Sequence, residues 1–121
     1  MRTIADGEQI FPGVTAALAA GHSRGHTGYV IDSGDISLVV LGDSVHSPAQ
    51  VGHPEWTVLF DSDAAAAETS RRRLLDLAAC ATLAYAGHFA DVQFGHVEHS
   101  RAGTWWRPMD AGTDPPGQAG A

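Results

Sequence analysis

The sequence predicts an α/β fold, and three observations predict it. Two β-rich runs, Thr27-Gly28-Tyr29-Val30-Ile31-Asp32 and Ile36-Ser37-Leu38-Val39-Val40-Leu41, are joined by Ser33-Gly34-Asp35, which is hairpin composition. A stretch from Asp61-Ser62-Asp63 to about Cys80 carries Leu74, Leu75, Ala78 and Ala81 at helical spacing. Beyond it a short apolar run, Thr82-Leu83-Ala84-Tyr85-Ala86, stops at Gly87-His88, much as the second run stops at Gly42-Asp43. At 121 residues the chain has the size of one domain able to bury its own core.

Taken in order, Ile10 to Val14 reads as a short strand closed by Pro12-Gly13, and Thr15 to Ala20 leads into Gly21-His22-Ser23-Arg24-Gly25-His26, too glycine-rich for regular structure. The hairpin follows, and its second strand is apolar enough to be covered on both faces. Ser44 to Phe60, with Pro48, Gly52 and Pro54, reads as an irregular loop with a short strand near Trp56 to Phe60. The helix comes next, with N-cap candidates at Asp61 to Asp63 and with Arg71, Arg72 and Asp76 available for its wet side. Phe94 to Glu98 and Thr104 to Arg107 can close the fold as strands. Residues 1–109 therefore form the domain, and residues 110–121, with Pro115-Pro116, read as a disordered tail.

The composition excludes several classes of function. Seven basic residues, all arginine, against fourteen acidic ones give a net charge of −7, so nucleic acid is not an expected partner, and the run Arg71-Arg72-Arg73 reads as a solvated helix face. No apolar run approaches the roughly 20 residues of a membrane span. The N-terminus lacks the apolar stretch of a signal peptide, so a cytoplasmic location is expected. One cysteine, Cys80, excludes an internal disulfide and a Cys-x-x-Cys metal site, and it reads as a buried, inert thiol.

Histidine is abundant, with seven residues. Three polar residues stand at the ends of apolar or glycine-bounded elements: His22 before the hairpin, Asp43 after its second strand, and His88 after the strand that follows the helix. Strand ends are where a layered α/β fold presents side chains convergently. Imidazole and carboxylate are the ligands that zinc, iron and manganese accept, and a carboxylate can bridge two ions. Singly, each residue also has an ordinary reading as a surface histidine or a turn aspartate, and spacing alone does not show that these strand ends are neighbours.

From Phe11 to about Pro108 the chain resembles the C-terminal half of the metallo-β-lactamase superfamily, nearest its lactonase and organophosphate-hydrolase-like branch. The resemblance is carried by Pro12-Gly13-Val14, by Gly21-His22-Ser23-Arg24-Gly25-His26-Thr27-Gly28 and by Leu41-Gly42-Asp43-Ser44-Val45-His46-Ser47-Pro48. It continues in Pro54-Glu55-Trp56, Phe60-Asp61-Ser62-Asp63 and Gly87-His88-Phe89. It implies half of an αββα sandwich, a mixed sheet with one long flanking helix. It further implies that His22, Asp43 and His88 are metal ligands, with Asp43 the bridging, catalytic one. The metal implied is zinc, two ions per complete site, with iron or manganese using the same ligands. The two ions, about 3.5–4 Å apart, would clamp a bridging hydroxide and polarise the carbonyl or phosphoryl oxygen of a small-molecule ester, lactone or phosphotriester. His26 and His46 match positions that support or line the site, whereas His53, His96 and His99 match no ligand. Trp56 is read as a packing residue rather than a pocket wall, and Arg24 replaces the family's usual proline.

The family's His-x-His-x-Asp-His signature, which supplies most of the remaining ligands, does not occur in this sequence. With half the ligands, the chain is expected to bind metal weakly and to be inactive alone. The strand from Ile36 to Leu41 would leave an apolar face in water, so self-association or pairing with an N-terminal half-domain is expected. The alternative reading is a non-catalytic truncated module that binds metal or a partner.

Overall fold

The computed structural model describes residues 4–56, 61–90 and 92–109. The strand near Trp56 to Phe60 and the tail 110–121 fall mainly or wholly outside them. Among the described residues seven strands form one sheet in sequence order: β1 (Gln9–Phe11), β2 (Val14–Leu18), β3 (Thr27–Asp32), β4 (Ser37–Val40), β5 (Leu83–Tyr85), β6 (Phe94–Ser100) and β7 (Gly103–Pro108). Every neighbouring pair is antiparallel except β4 with β5. That parallel pair is the one bridged by helices, the single-turn α1 (Ala49–Gly52) and the 16-residue α2 (Ala64–Ala79), because a parallel return needs a crossover. The mixed α/β architecture is as the sequence predicts.

Helix α2 starts where an aspartate can cap it. Asp63 has an extended backbone, and its side chain accepts from the Ala66 N–H at 3.1 Å. The helix buries Ala67, Arg71, Leu74, Leu75 and Ala78, a stripe at the i, i+3, i+4 spacing of a core-facing helix. Against it lies the sheet face that carries the row Val30–Val39–Ala84–Gly95 and the pair Val97–Trp106. Gly28 belongs to this face: a Cβ there would meet Leu74 at 3.1 Å and the Val40 carbonyl at 2.8 Å. Glycine lets the helix sit this close.

The opposite sheet face is covered by no element among the described residues. Its registers align Tyr29–Val40–Tyr85–Phe94 in one row and Val14–Ile31–Leu38–Leu83 in the next. None of these eight is fully buried, and Phe94 is 40% exposed. Among the described residues the apolar run Ile36 to Leu41 is thus covered on one face, through Val39 and Leu41.

Four sequence expectations need correction. The first strand ends at Phe11; Pro12-Gly13 is a turn, Gly13 has φ +81°, and Val14–Leu18 is a second strand that pairs along its whole length with β3. The loop after Ser44 contains the helical turn α1. Cys80 is exposed rather than buried, at the C-cap of α2. Arg71 is not on the wet side: at 1% exposure it is the largest fully buried side chain.

Candidate metal centre

The parallel pairing of β4 and β5 carries the chain after each to the same sheet edge. Because β3 runs antiparallel to both β2 and β4, the β2–β3 loop opens at that edge too. The three loops holding His22, Asp43 and His88 therefore meet. Asp43 stands between the two histidines: Oδ1 is 2.5 Å from His88 Nε2 and Oδ2 is 3.5 Å from His22 Nε2. His46 joins them, its ring 4.7 Å from that of His88 and 5.1 Å from that of His22. Asp43, His46 and His88 each offer a donor atom within 4.8 Å of the others.

His26 holds this arrangement from behind. Its Nδ1 lies 3.0 Å from the Ala19 carbonyl, which can only accept, and its Nε2 accepts from the Asp43 N–H at 2.7 Å. The ring is therefore the neutral Nδ1–H tautomer with both nitrogens engaged, a strut between the His22 loop and Asp43. Gly42 permits it: its φ is +59°, and a Cβ there would fall 2.5 Å from His26 Nε2.

Electrostatics favour an anionic Asp43 and a neutral His46. Burial acts to raise the Asp43 carboxyl, but the hydrogen bond from His88 and the nearby charges of His88 and His22 outweigh it, holding the group below the usual carboxylate range. Burial pushes His46 down, and the neighbouring His88 and His22 push it further, which favours the neutral, lone-pair-bearing imidazole. His46 Nδ1 is buried without a hydrogen-bond partner among the described residues. Such an atom signals a missing partner.

Two residues of the site escaped the sequence reading. Asp61, read there as an N-cap candidate and as part of a resembling motif but given no place in the site, sets Oδ1 3.0 Å from His22 Nδ1. Arg71 reaches the same carboxylate from beneath. The signal for Asp61 lay in its place beside Asp63, one aspartate more than a cap needs; nothing in the sequence marked Arg71. The other histidines lie elsewhere: His53 stacks on Trp56 at 4.1 Å, His99 pairs with Thr104 at 2.8 Å, and His96 sits on β6 facing away from α2. Trp56 is 50% exposed, so the packing expected for it, which includes that stack, is partial. A cleft of about 380 Å³ opens between Arg24 and the start of α2, but none of the clustered histidines lines it.

The fold and the edge cluster define the class: the chain has the metallo-β-lactamase fold, over part of its extent, as its sequence motifs suggest. It is similar to AidC, a dizinc quorum-quenching lactonase solved with the product N-hexanoyl-L-homoserine, with 28% identity, a TM-score of 0.75 and coverage of 84% of this chain and 35% of AidC. The hydrolase AbOPH of the β-lactamase superfamily matches with 26% identity, a TM-score of 0.76 and coverage of 85% and 36%. A probable metal-dependent hydrolase from Staphylococcus aureus, at 19% identity and TM-score 0.68, with coverage of 87% and 38%, shares the fold. The chain thus spans little more than a third of the length of these structures. No family model and no curated protein matches the sequence.

Proposed function

We propose that this chain forms part of a metal-dependent hydrolase in which His22, Asp43 and His88 hold divalent metal, zinc by default, and His46 lines the same centre. The observation that carries the reading is Asp43, one carboxylate with an imidazole nitrogen at each oxygen. The donor set fits a borderline cation that takes nitrogen and oxygen ligands, and the unpartnered His46 Nδ1 adds a further neutral donor beside it. When bound, such ions supply Lewis acidity and a nucleophile at neutral pH. The chain's own residues do the rest: Asp43 and His88 hold the anionic and neutral donor atoms together, His26 fixes the backbone of Asp43, and His46 stands at the centre for a substrate oxygen or proton.

The substrate class proposed is an ester, lactone or phosphotriester, on the likeness to a lactonase and to AbOPH. Full activity is proposed only for the centre completed by ligands outside this sequence, supplied by a partner half that also covers the open sheet face. Elemental analysis of the purified chain tests the centre: bound metal lost on Asp43→Asn supports it, and equal metal in wild type and Asp43→Asn rejects it. In the completed protein Asp43→Asn should remove most turnover, with His96→Ala near wild type.

A further inference from the structure

The His22 loop lies directly on the segment leading into α2. Asp63 N–H donates to the Gly21 carbonyl at 2.8 Å, and the Ser62 hydroxyl and N–H both donate to the His22 carbonyl. Beneath this backbone contact are two buried charges. The Asp61 side chain is 1% exposed, with Oδ1 3.0 Å from His22 Nδ1 and Oδ2 3.6 Å from Nη2 of Arg71, which is equally buried. Arg71 also donates through Nε to the Ser44 carbonyl at 2.6 Å and through Nη1 to the Pro54 carbonyl at 2.5 Å. Ser44 follows Asp43 in the chain, so one guanidinium braces both the carboxylate behind His22 and the backbone beside Asp43.

A carboxylate only accepts, so the 3.0 Å hydrogen bond at Nδ1 requires a proton there, whereas Nε2 lies 3.5 Å from the Asp43 carboxylate, too long to fix a proton on that side, and is the nitrogen turned toward the centre. We propose that Asp61 and Arg71 are positioning residues that lock His22 as the Nδ1–H tautomer with Nε2 aimed into the centre. A buried ion pair adds little net stability over an apolar pair of the same volume. What an apolar pair cannot supply is direction, and Arg71 supplies it through a planar fork with three partners. The inference about tautomer stands on this chain's geometry; its effect on metal affinity rests on the metal-centre reading.

The test is NMR of the histidine ring nitrogens in the full, metal-free chain at alkaline pH, with His22→Gln assigning the signals. His22 should carry a slowly exchanging proton on Nδ1. In Asp61→Asn, whose amide oxygen still accepts, that proton should remain but exchange about five- to tenfold faster, since a neutral acceptor gives about half of a charge-assisted bond. In Asp61→Ala/Arg71→Met, which removes both charges and strands neither, it should exchange freely and the ring should revert to Nε2–H. Wild-type His22 protonated on Nε2, or exchange unchanged in Asp61→Asn, overturns the proposal even if the double variant does not fold. Zn²⁺ titration calorimetry on the same samples separates the two readings. A loss of about 10–100-fold in affinity in the double variant supports the link to metal. Absence of Zn²⁺ binding by the wild type rejects metal binding by this chain alone and leaves the tautomer result to decide the positioning role.

Discussion

Arg71, Arg72 and Arg73 follow one another in sequence and meet three different environments. Arg72 lies on the solvent side, paired with Glu68 at 2.8 Å one turn earlier, and is 52% exposed. Arg73 reaches Asp6 at 2.8 Å across the surface, both side chains 46% exposed. Arg71 is enclosed with Asp61. Arg71→Ala should therefore cost about 3–5 kcal/mol, since it strands a buried carboxylate, while Arg72→Ala should stay within about 0.5 kcal/mol; urea unfolding of the two variants checks this. Asp6 yields a pH prediction. The hydrogen bond from Arg73, followed by that from the Leu18 N–H, holds the carboxyl below its ordinary 3.8. A depressed folded value means that the stabilisation is present above 3.8 and is lost as pH falls through the folded value. Thermal melts of wild type and Asp6→Asn should therefore differ near neutral pH and converge in stronger acid. A difference that grows on acidification would contradict the pairing.

At the scale of elements, the strongly patterned pieces were legible. The hairpin of β3 and β4 follows from two β-rich runs around Ser33-Gly34-Asp35, and α2 from leucines and alanines at helical spacing. Strand β2 was not legible because Ala16 and Ala17 have little strand preference of their own; pairing with β3 makes them a strand. Similarly, His22, Asp43 and His88 were legible as strand-end residues, but their approach depends on the parallel β4–β5 pair. The role of Asp61 depends on a tertiary contact between loop and helix that no local pattern encodes. That contact rests on Gly21, whose φ is +136° and where a Cβ would lie 2.2 Å from the Ala67 nitrogen. Gly21→Ala must separate loop from helix, so it should cost about 1–3 kcal/mol and weaken metal binding as well. Asp63→Ala, which removes only the cap, should cost about 1 kcal/mol and leave metal affinity near wild type. Chemical denaturation and calorimetry on this pair distinguish a general loss of stability from a displaced His22.

For the molecule as a whole, the two sheet faces differ in a way that burial alone explains. One face is filled by α1, α2 and the Trp106–Phe89 contact at 4.9 Å. The other carries two apolar rows with partial exposure; Trp105, 46% exposed, lies on the same face of β7, opposite Glu98 and separated from Phe94 by the His96–Arg107 pair. Apolar area left in water favours association by about 25 cal/mol for each Å² later buried, and contiguous patches of this kind mark interaction surfaces. The nearly all-apolar β4 already pointed to a second covering layer. The chain alone should therefore bind a hydrophobic dye and associate in a concentration-dependent manner by sedimentation equilibrium. Phe94→Glu should weaken both signals while leaving the helical circular dichroism of α2 unchanged, because Phe94 lies on the face away from that helix. A wild-type chain that stays monomeric and silent to the dye would remove the case for a partner layer. Association that survives Phe94→Glu undiminished would move the interface elsewhere on the molecule.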